Sequence, residues 1–257
     1  VERAIEMIRD AELIEHNLAA MPGITNNKLT TKLVRTCEAR ADSLAIVDLK
    51  DVYVPPFQTK CTTFKDRVDG TTPEQSAKNL VARQLNSSYG ATYYPWVKIK
   101  DEHWGRDVWV PPSVAAIGVF ATTERKDELW FAPAGFTRGG LSAGAGGLPV
   151  SQVRLRLSSK ERDKLYEAGI NPIAQFPAEG IVVFGQKTLQ VTPSALDRIN
   201  VRRLMIHVKK EISRMAATTL FDQNVQATWN RFLGKAEPFL ASVQSRFGLT
   251  EYKIILD

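Results

Sequence analysis

The sequence contains little of what structural disulfides, metal centres or membrane spans require. Its two cysteines, Cys37 and Cys61, have no C-x-x-C spacing, which favours a reducing site of synthesis without structural disulfides. Its three histidines are far apart in the sequence, so neither a metal site nor a cofactor is expected. No apolar run approaches the ~20 residues that span a bilayer, and the acidic, helical N-terminus is unlike a secretory signal. These absences favour a soluble protein with no membrane partner.

The composition is that of an ordinary globular protein with an unevenly placed positive charge. The 257 residues are 44% hydrophobic and 24% charged, which suits one large or two modest domains. Residues 1–147 hold 18 basic and 18 acidic side chains, so the other 16 and 10 put the whole net charge of +6 in residues 148–257. This asymmetry predicts an acidic partner at the C-terminal region, with a merely solubilising surface as the simpler alternative.

Helical periodicity alternates with short buried apolar runs, which indicates an α/β protein. Helices are predicted over residues 1–21, 27–41, 72–86, 158–169 and 228–247, and the apolar segment 114–121 fits a helix or a strand, with a helix favoured. Strands are predicted over residues 43–49, 91–100, 152–157, 180–184 and 252–256. Pro95 favours an edge strand or a bulge, because proline cannot donate to a ladder. The glycine-rich stretch 132–149 is expected to be an exposed loop and a candidate domain boundary.

The stretch from Thr192 to Met215 predicts one long helix with two different faces, beginning at a Thr192 cap followed by Pro193. Helical spacing groups an apolar stripe that is expected to be buried: Val201, Leu204, Met205, Val208, Ile212 and Met215. The cations lie away from the stripe or flank it, which predicts an exposed surface for an acidic partner. These candidate binding residues are Arg198, Arg202, Arg203, Lys209, Lys210 and Arg214. Arg203, Lys210 and Arg214 form one sector and Arg202 and Lys209 another, and the sequence leaves open which sector meets the partner.

Two motifs superficially suggest enzymatic chemistry. Gly140-Leu-Ser142-Ala-Gly144 matches the G-x-S-x-G pattern of a nucleophile elbow, but glycines lie on both sides. The only histidine downstream, His207, is expected on the polar side of the long helix, so no triad is supported. Gly180 to Thr188 resembles a phosphate-binding loop with one residue too many, and its centre is a predicted strand. No enzyme is therefore expected.

An aromatic group in the predicted strand 91–100 and just before it leaves one alternative function open. Its members, beside Lys98 and Lys100, are Tyr89, Tyr93, Tyr94 and Trp96. Aromatics near cations can stack single-stranded bases, although strand spacing more often means a core. With a pI of 9.3, this keeps a basic nucleic-acid-binding module as the alternative.

Several separate stretches resemble one known family, in a consistent order. They are Tyr89-Gly-Ala-Thr-Tyr-Tyr-Pro-Trp96, Val110-Pro-Pro-Ser113, Trp130-Phe-Ala-Pro-Ala-Gly135, Ala168-Gly-Ile-Asn-Pro-Ile173, Gly185-Gln-Lys-Thr-Leu189, Asn200-Val-Arg-Arg-Leu204 and Thr228-Trp229. Together they resemble the tail sheath protein of contractile bacteriophage tails and related injection machines, over roughly residues 30–257.

The resemblance implies an α/β fold with mixed sheets flanked by helices. Residues 1–157 would form a lobe that is subtilisin-like in architecture without a catalytic triad. Residues 158–257 would form a smaller α+β C-terminal sheath domain, truncated before the C-terminal arm. It further implies a structural virion protein, made in the host cytoplasm, that contracts by rigid-body rearrangement to drive the tube through the host envelope.

The resemblance also implies partners. These are further copies in stacked six-fold rings, joined through terminal arms, and the tail tube, baseplate and tail terminator proteins; nucleic acid is not expected. The sequence starts at Val1 without methionine and stops at Asp257 in a strand-like segment, which suggests a piece without the arms. Such a piece is expected to be monomeric by itself.

Overall fold

The computed structural model describes residues 1–53, 71–101, 103–142 and 147–256. The strands are β1 Leu18–Ala20, β2 Leu44–Val47, β3 Gly90–Tyr94, β4 Val97–Asp101, β5 Arg106–Val110, β6 Val150–Val153, β7 Asn171–Phe176 and β8 Gly180–Val183. The helices are α1 Glu2–Met7, α2 Asn27–Arg40, α3 Pro73–Ala82, α4 Pro112–Lys126, α5 Gly135–Arg138, α6 Ser159–Glu167, α7 Ile199–Ala217 and α8 Gln226–Ser245. A short 3-10 helix, Ala195–Asp197, precedes α7.

The strands form two sheets. The larger sheet has the order β1, β2, β3, β7 and β8, in which the first four strands are parallel and β8 runs antiparallel to β7. The smaller sheet has the order β5, β4 and β6 and is antiparallel throughout. Within the described residues no helix is both long and apolar enough to cross a membrane.

The larger sheet is buried on both faces, as the continuous apolar run in β2 predicts. Leu44 and Ile46 face a core shared with α4, α7 and the smaller sheet, while Ala45 and Val47 face a core shared with α1, α2, α3 and α6. Two helical layers thus enclose the sheet, and the smaller sheet lies on the α4 and α7 side. The predicted class, an α/β protein with mixed sheets flanked by helices, is confirmed.

Local capping explains several helix starts. The Asn26 side chain accepts hydrogen bonds from the amides of Lys28 and Leu29 at the start of α2. Thr72 caps α3 ahead of its first-turn proline. Ser158 and Glu161 form a full capping box at α6. These helices and α4 confirm the sequence predictions.

The buried Asp48 carboxylate ties the end of β2 to two other segments. Its oxygens accept hydrogen bonds from the Gly23 amide at 2.8 Å and from the Ser113 amide at 3.1 Å. The Ser113 hydroxyl donates a third, at 2.7 Å. Asp48 therefore fixes the first turn of α4, where the Val110-Pro-Pro-Ser113 stretch lies, against the sheet.

Two predictions in the first half are wrong. The helix predicted over residues 1–21 ends at Met7, and Leu18–Ala20 form an edge strand instead. The strand predicted over residues 91–100 divides at the cis peptide Tyr94–Pro95 into β3 and β4, which belong to different sheets. Pro95 thus marks the passage between two sheets, and β3 lies in the interior of the larger one.

Two further predictions are wrong in the described residues of the second half. The stretch 132–149 is not simply an exposed loop, because Leu141 is buried and Gly140 and Ser142 form bridges to Val182 and Val150. Residues 252–256 form no strand. Cys61, Gly144 and Asp257 lie outside the described residues. The boundary at residue 157 stays a prediction, although strands from both sides of it share the larger sheet.

Candidate partner-binding surface

The long basic helix begins later than its sequence predicts. Ser194 caps the short 3-10 helix by accepting a hydrogen bond from the Leu196 amide, and Arg198 is the N-cap residue of α7. Thr192 is therefore not the helix cap, and the helix proper runs from Ile199 to Ala217. Arg198 has extended backbone angles, which separate α7 from the 3-10 helix.

The face of α7 that packs on the core differs from the predicted apolar stripe. Its buried residues are Ile199, Arg202, Arg203, Leu204 and Ile206. Met205, predicted to be buried, is 45% exposed, and only Leu204 of the stripe is fully buried. The helix is thus rotated so that two arginines enter the interior, which is a correction to the predicted exposure of Arg202 and Arg203.

Arg202 is held within the chain by stacking and by one hydrogen bond. Its guanidinium carbon lies 4.1 Å from the centre of the Tyr89 ring, and its Nη2 donates to Ser88 Oγ at 2.6 Å. Burial lowers the pKa of Arg202. A planar guanidinium over an aromatic face packs as an apolar group does, so Arg202 acts as part of the core.

Arg203 is similarly placed between α7 and α4. Its Nη2 forms an ion pair of 2.9 Å with Glu124 Oε2, and its guanidinium lies 5.0 Å from the Phe120 ring centre. Burial lowers the pKa of Arg203. Its other terminal nitrogen, Nη1, is buried without a hydrogen-bond partner, so no part of Arg203 is offered to a partner at the surface.

Three of the other four predicted cations are exposed to some degree and already have partners. Arg198 pairs with Asp197 at 3.1 Å and donates a hydrogen bond to the Tyr166 hydroxyl. Lys210 pairs with Glu15 at 3.1 Å. Arg214 pairs with Glu211 at 2.7 Å and with Glu15.

Lys209 differs from all of these. Its side chain is exposed and makes no ion pair with any residue in the described ranges. Met205, Lys209 and Ser213 lie four residues apart on one exposed line of α7, with Arg214 beside it. This line, rather than the full set of six cations, is the surface that α7 presents to solvent.

The enzyme-like motifs have structural roles. Ser142 Oγ accepts a hydrogen bond from the Ile181 amide at 2.8 Å, beside β8. Lys187 Nζ donates to the Tyr166 carbonyl at 3.0 Å, and Thr188 Oγ1 donates to the Leu196 carbonyl at 3.1 Å. The described residues contain no group of histidine, cysteine, aspartate and glutamate side chains that could hold a metal ion.

His207 does not project from a polar face as predicted. Its ring lies 6.0 Å from the Trp130 ring and 5.8 Å from the Phe239 ring, where α8 packs on α7. Burial lowers the pKa of His207.

The aromatic group in and around β3 is core. Tyr93, Tyr94 and Trp96 are buried, and Tyr89 lies under Arg202, so their faces are not free for bases. Lys98 pairs with Asp107 at 2.8 Å. The aromatic group is therefore no base-stacking surface, which leaves only the basic pI in support of a nucleic-acid-binding module.

Several phage tail sheath proteins are similar to this chain in sequence. No family model matches the chain. It is 35% identical over 194 residues to the tail sheath protein of Vibrio phage KVP40, covering 76% of this chain and 28% of that protein. It is 30% identical over 227 residues to the tail sheath protein of Salmonella phage ViI, covering 86% and 34%. The chain belongs to the contractile tail sheath proteins. It spans only 22% of the tail sheath protein of Enterobacteria phage T4, to which it is 33% identical over 149 residues.

Solved structures show the same fold over nearly the whole chain. The anti-feeding prophage baseplate, 6-fold symmetrised, superposes with a TM-score of 0.69 at 22% identity, covering 97% of this chain and 59% of that one. The sheath complex of an extracellular contractile injection system in its contracted state gives 0.68 at 23% identity, covering 94% and 59%. The likeness in fold therefore extends over nearly the whole chain.

Proposed function

We propose that this chain is part of a structural subunit of a contractile phage tail sheath. The observation that carries the proposal is the 35% identity over 194 residues to a phage tail sheath protein. In this proposal subunits stack as six-fold rings around a tail tube and contract by rigid-body rearrangement. The subunit has no catalytic role, resides in the virion after synthesis in the host cytoplasm, and also meets baseplate and tail terminator proteins.

The exposed line of α7 is the proposed contact with an acidic tail tube. Lys209 is the leading contact because its ammonium group has no carboxylate partner in the described chain. Arg214 contributes by exchanging Glu15 and Glu211 for tube carboxylates, and Arg198 is peripheral. Arg202 and Arg203 position α7 from within.

Weak contacts of this kind suit a sheath. Each exposed cation is worth about 0–1 kcal/mol against an acidic surface. Repetition around and along a tube makes such contacts strong together, yet each one can break when the subunits turn. Lys209 therefore contributes to an extended state that is both stable and releasable.

Charge reversal in the full-length sheath protein tests the tube contact. The Lys209→Glu/Arg214→Glu variant should fail to form extended sheath on tubes while still forming contracted polymers without tubes, as seen by negative-stain electron microscopy. The control Lys78→Glu/Lys160→Glu makes the same charge change at exposed positions on α3 and α6. Extended sheath in both variants would reject the α7 contact, and absence of polymers from the unchanged protein would reject the sheath function.

A further inference from the structure

A groove with excess positive charge lies between α1, α2 and the end of α3, on the side of the sheet away from α7. Its volume is about 640 Å³. Its cations come from three separate segments and are Arg9, Lys28, Lys32, Arg35 and Arg83. The equal numbers of basic and acidic residues in the first 147 positions conceal this cluster, because Glu6 is the one acid among the described residues that line it.

The acidic side chains near the groove neutralise only part of its positive charge. Lys32 pairs with Glu2 at 3.3 Å and with Glu6, which is also 3.9 Å from Arg9. Lys28 and Arg35 are exposed and make no ion pair with a described residue. Glu6 is the one acid among the residues that line the groove. A net positive charge therefore remains along α2.

Arg83 supplies a fixed positive charge at the floor of the groove. Its Nη2 donates to the hydroxyls of Thr30 at 2.7 Å and Thr31 at 3.0 Å, which orients the guanidinium. Its Nε and Nη1 are buried and have no hydrogen-bond partner. These two nitrogens are closed to a ligand in the groove, so Arg83 contributes a fixed positive charge beneath it rather than a free hydrogen-bond donor.

The spacing of the cations on α2 indicates which kind of anion the groove suits. Lys28, Thr31 and Arg35 lie on one helix face, and seven residues of helix span about 10 Å. The N-terminal end of α2 adds the positive end of its dipole next to Lys28. A single small anion would meet only one of these groups, whereas a segment with several negative charges meets them all.

We propose that this groove binds an acidic segment of a partner protein, with carboxylates on the exposed Lys28 and Arg35 and the fixed charge of Arg83 beneath them. None of the residues that line the groove is aromatic, so bases would find no stacking surface there. The hydroxyls of Thr31 and Thr36 add donors suited to carboxylate oxygens. This contact is separate from the α7 surface, and binding by the chain alone can be measured without any sheath assembly.

Fluorescence anisotropy with a labelled peptide of about six glutamates, ~20 Å long when extended, tests the proposal. The Lys28→Ala/Arg35→Ala variant should bind about tenfold more weakly than the unchanged chain at low salt. The control Arg125→Ala/Lys126→Ala removes the same two residue types from exposed positions on α4. Its affinity for the peptide should stay within about twofold of that of the unchanged chain. Both pairs are exposed, so folding is retained, which circular dichroism verifies.

Three results would overturn the proposal. They are the absence of saturable binding to the unchanged chain, equal weakening in both double variants, and equal affinity for a single-stranded oligodeoxynucleotide that is lost with Lys28 and Arg35. The last result would assign the groove to nucleic-acid phosphates. Arg83→Met adds a separate check. It removes the positive charge beneath the groove and leaves no carboxylate of the described residues without its ion-pair partner, so it should weaken peptide binding.

Discussion

The guanidinium of Arg203 lies 5.0 Å from the centre of the Phe120 ring, between α7 and α4. Its ion-pair partner Glu124 lies at the edge of the core and is 46% exposed, while the arginine side chain is 4% exposed. Arg203 therefore contributes packing area as well as charge, with its stem and planar head in the interior. Replacing Arg203 should therefore affect stability more than replacing a surface cation on the same helix.

Arg203→Ala should lower the free energy of unfolding by about 2–4 kcal/mol, because it leaves a cavity beside Phe120. Urea denaturation followed by circular dichroism measures this change. Lys209→Ala, further along the same helix, is the control and should change stability by no more than about 0.5 kcal/mol. Equal effects of the two substitutions would contradict a core role for Arg203.

Asp51 should make stability fall as the pH rises. Its buried carboxylate accepts a hydrogen bond of 2.6 Å from the Trp96 amide, and burial raises the pKa of Asp51 to about 7. The unfolded chain loses this proton near pH ~3.9, so between that pH and about 7 the folded state binds more protons. The expected slope is a loss of up to about 1.4 kcal/mol per pH unit.

The Asp51→Asn variant removes this titration and keeps an oxygen that can accept from Trp96. Relative to the variant, the unchanged chain should therefore lose stability between about pH 4 and pH 7. Urea unfolding of both proteins at several pH values measures the difference. Asp163→Asn, at an exposed position of α6, is the control and should leave the pH profile unaltered. A difference that does not vary with pH would contradict the assignment.

His207 should have the opposite pH dependence. Burial between Trp130 and Phe239 lowers the pKa of His207, so the unfolded chain binds more protons as the pH falls below about 6.5. Packing of α8 on α7 should therefore weaken on acidification. Hydrogen-exchange protection factors of α8 amides should fall between about pH 7.5 and pH 5.5. The decrease should disappear in His207→Phe and persist in His103→Gln, and its persistence in both would refute the role of His207.

The sequence predicts the helices α2, α3, α6 and α8 because their signals are local. Asn26, Thr72 and Ser158 cap these helices through hydrogen bonds within their own first turns, and the apolar run in β2 indicates a buried strand. None of these features depends on which distant residues pack against them. The same is true of the α/β class, which follows from the alternation of helices and buried strands.

The orientation of α7 could not be predicted in this way. A helical wheel assigns arginine to solvent, whereas Tyr89 and Phe120 offer aromatic faces that make the interior favourable for Arg202 and Arg203. Those rings are far away in the sequence, so the rotation of the helix is a tertiary effect. The basic groove was missed for a related reason, since Arg83 meets α2 only in the folded chain.

Ser142 provides a final prediction, which separates a structural serine from a nucleophile. Ser142→Ala removes the acceptor of the Ile181 amide and should lower the free energy of unfolding by about 1–2 kcal/mol. Ser151→Ala, at an exposed position with a longer hydrogen bond of 3.3 Å to the Lys98 carbonyl, is the control and should have a smaller effect. Thermal unfolding compares the variants, and a chromogenic ester assay should give the same background rate for all three proteins. Loss of ester hydrolysis specifically in Ser142→Ala, with stability unchanged, would instead restore the nucleophile that the G-x-S-x-G pattern suggests.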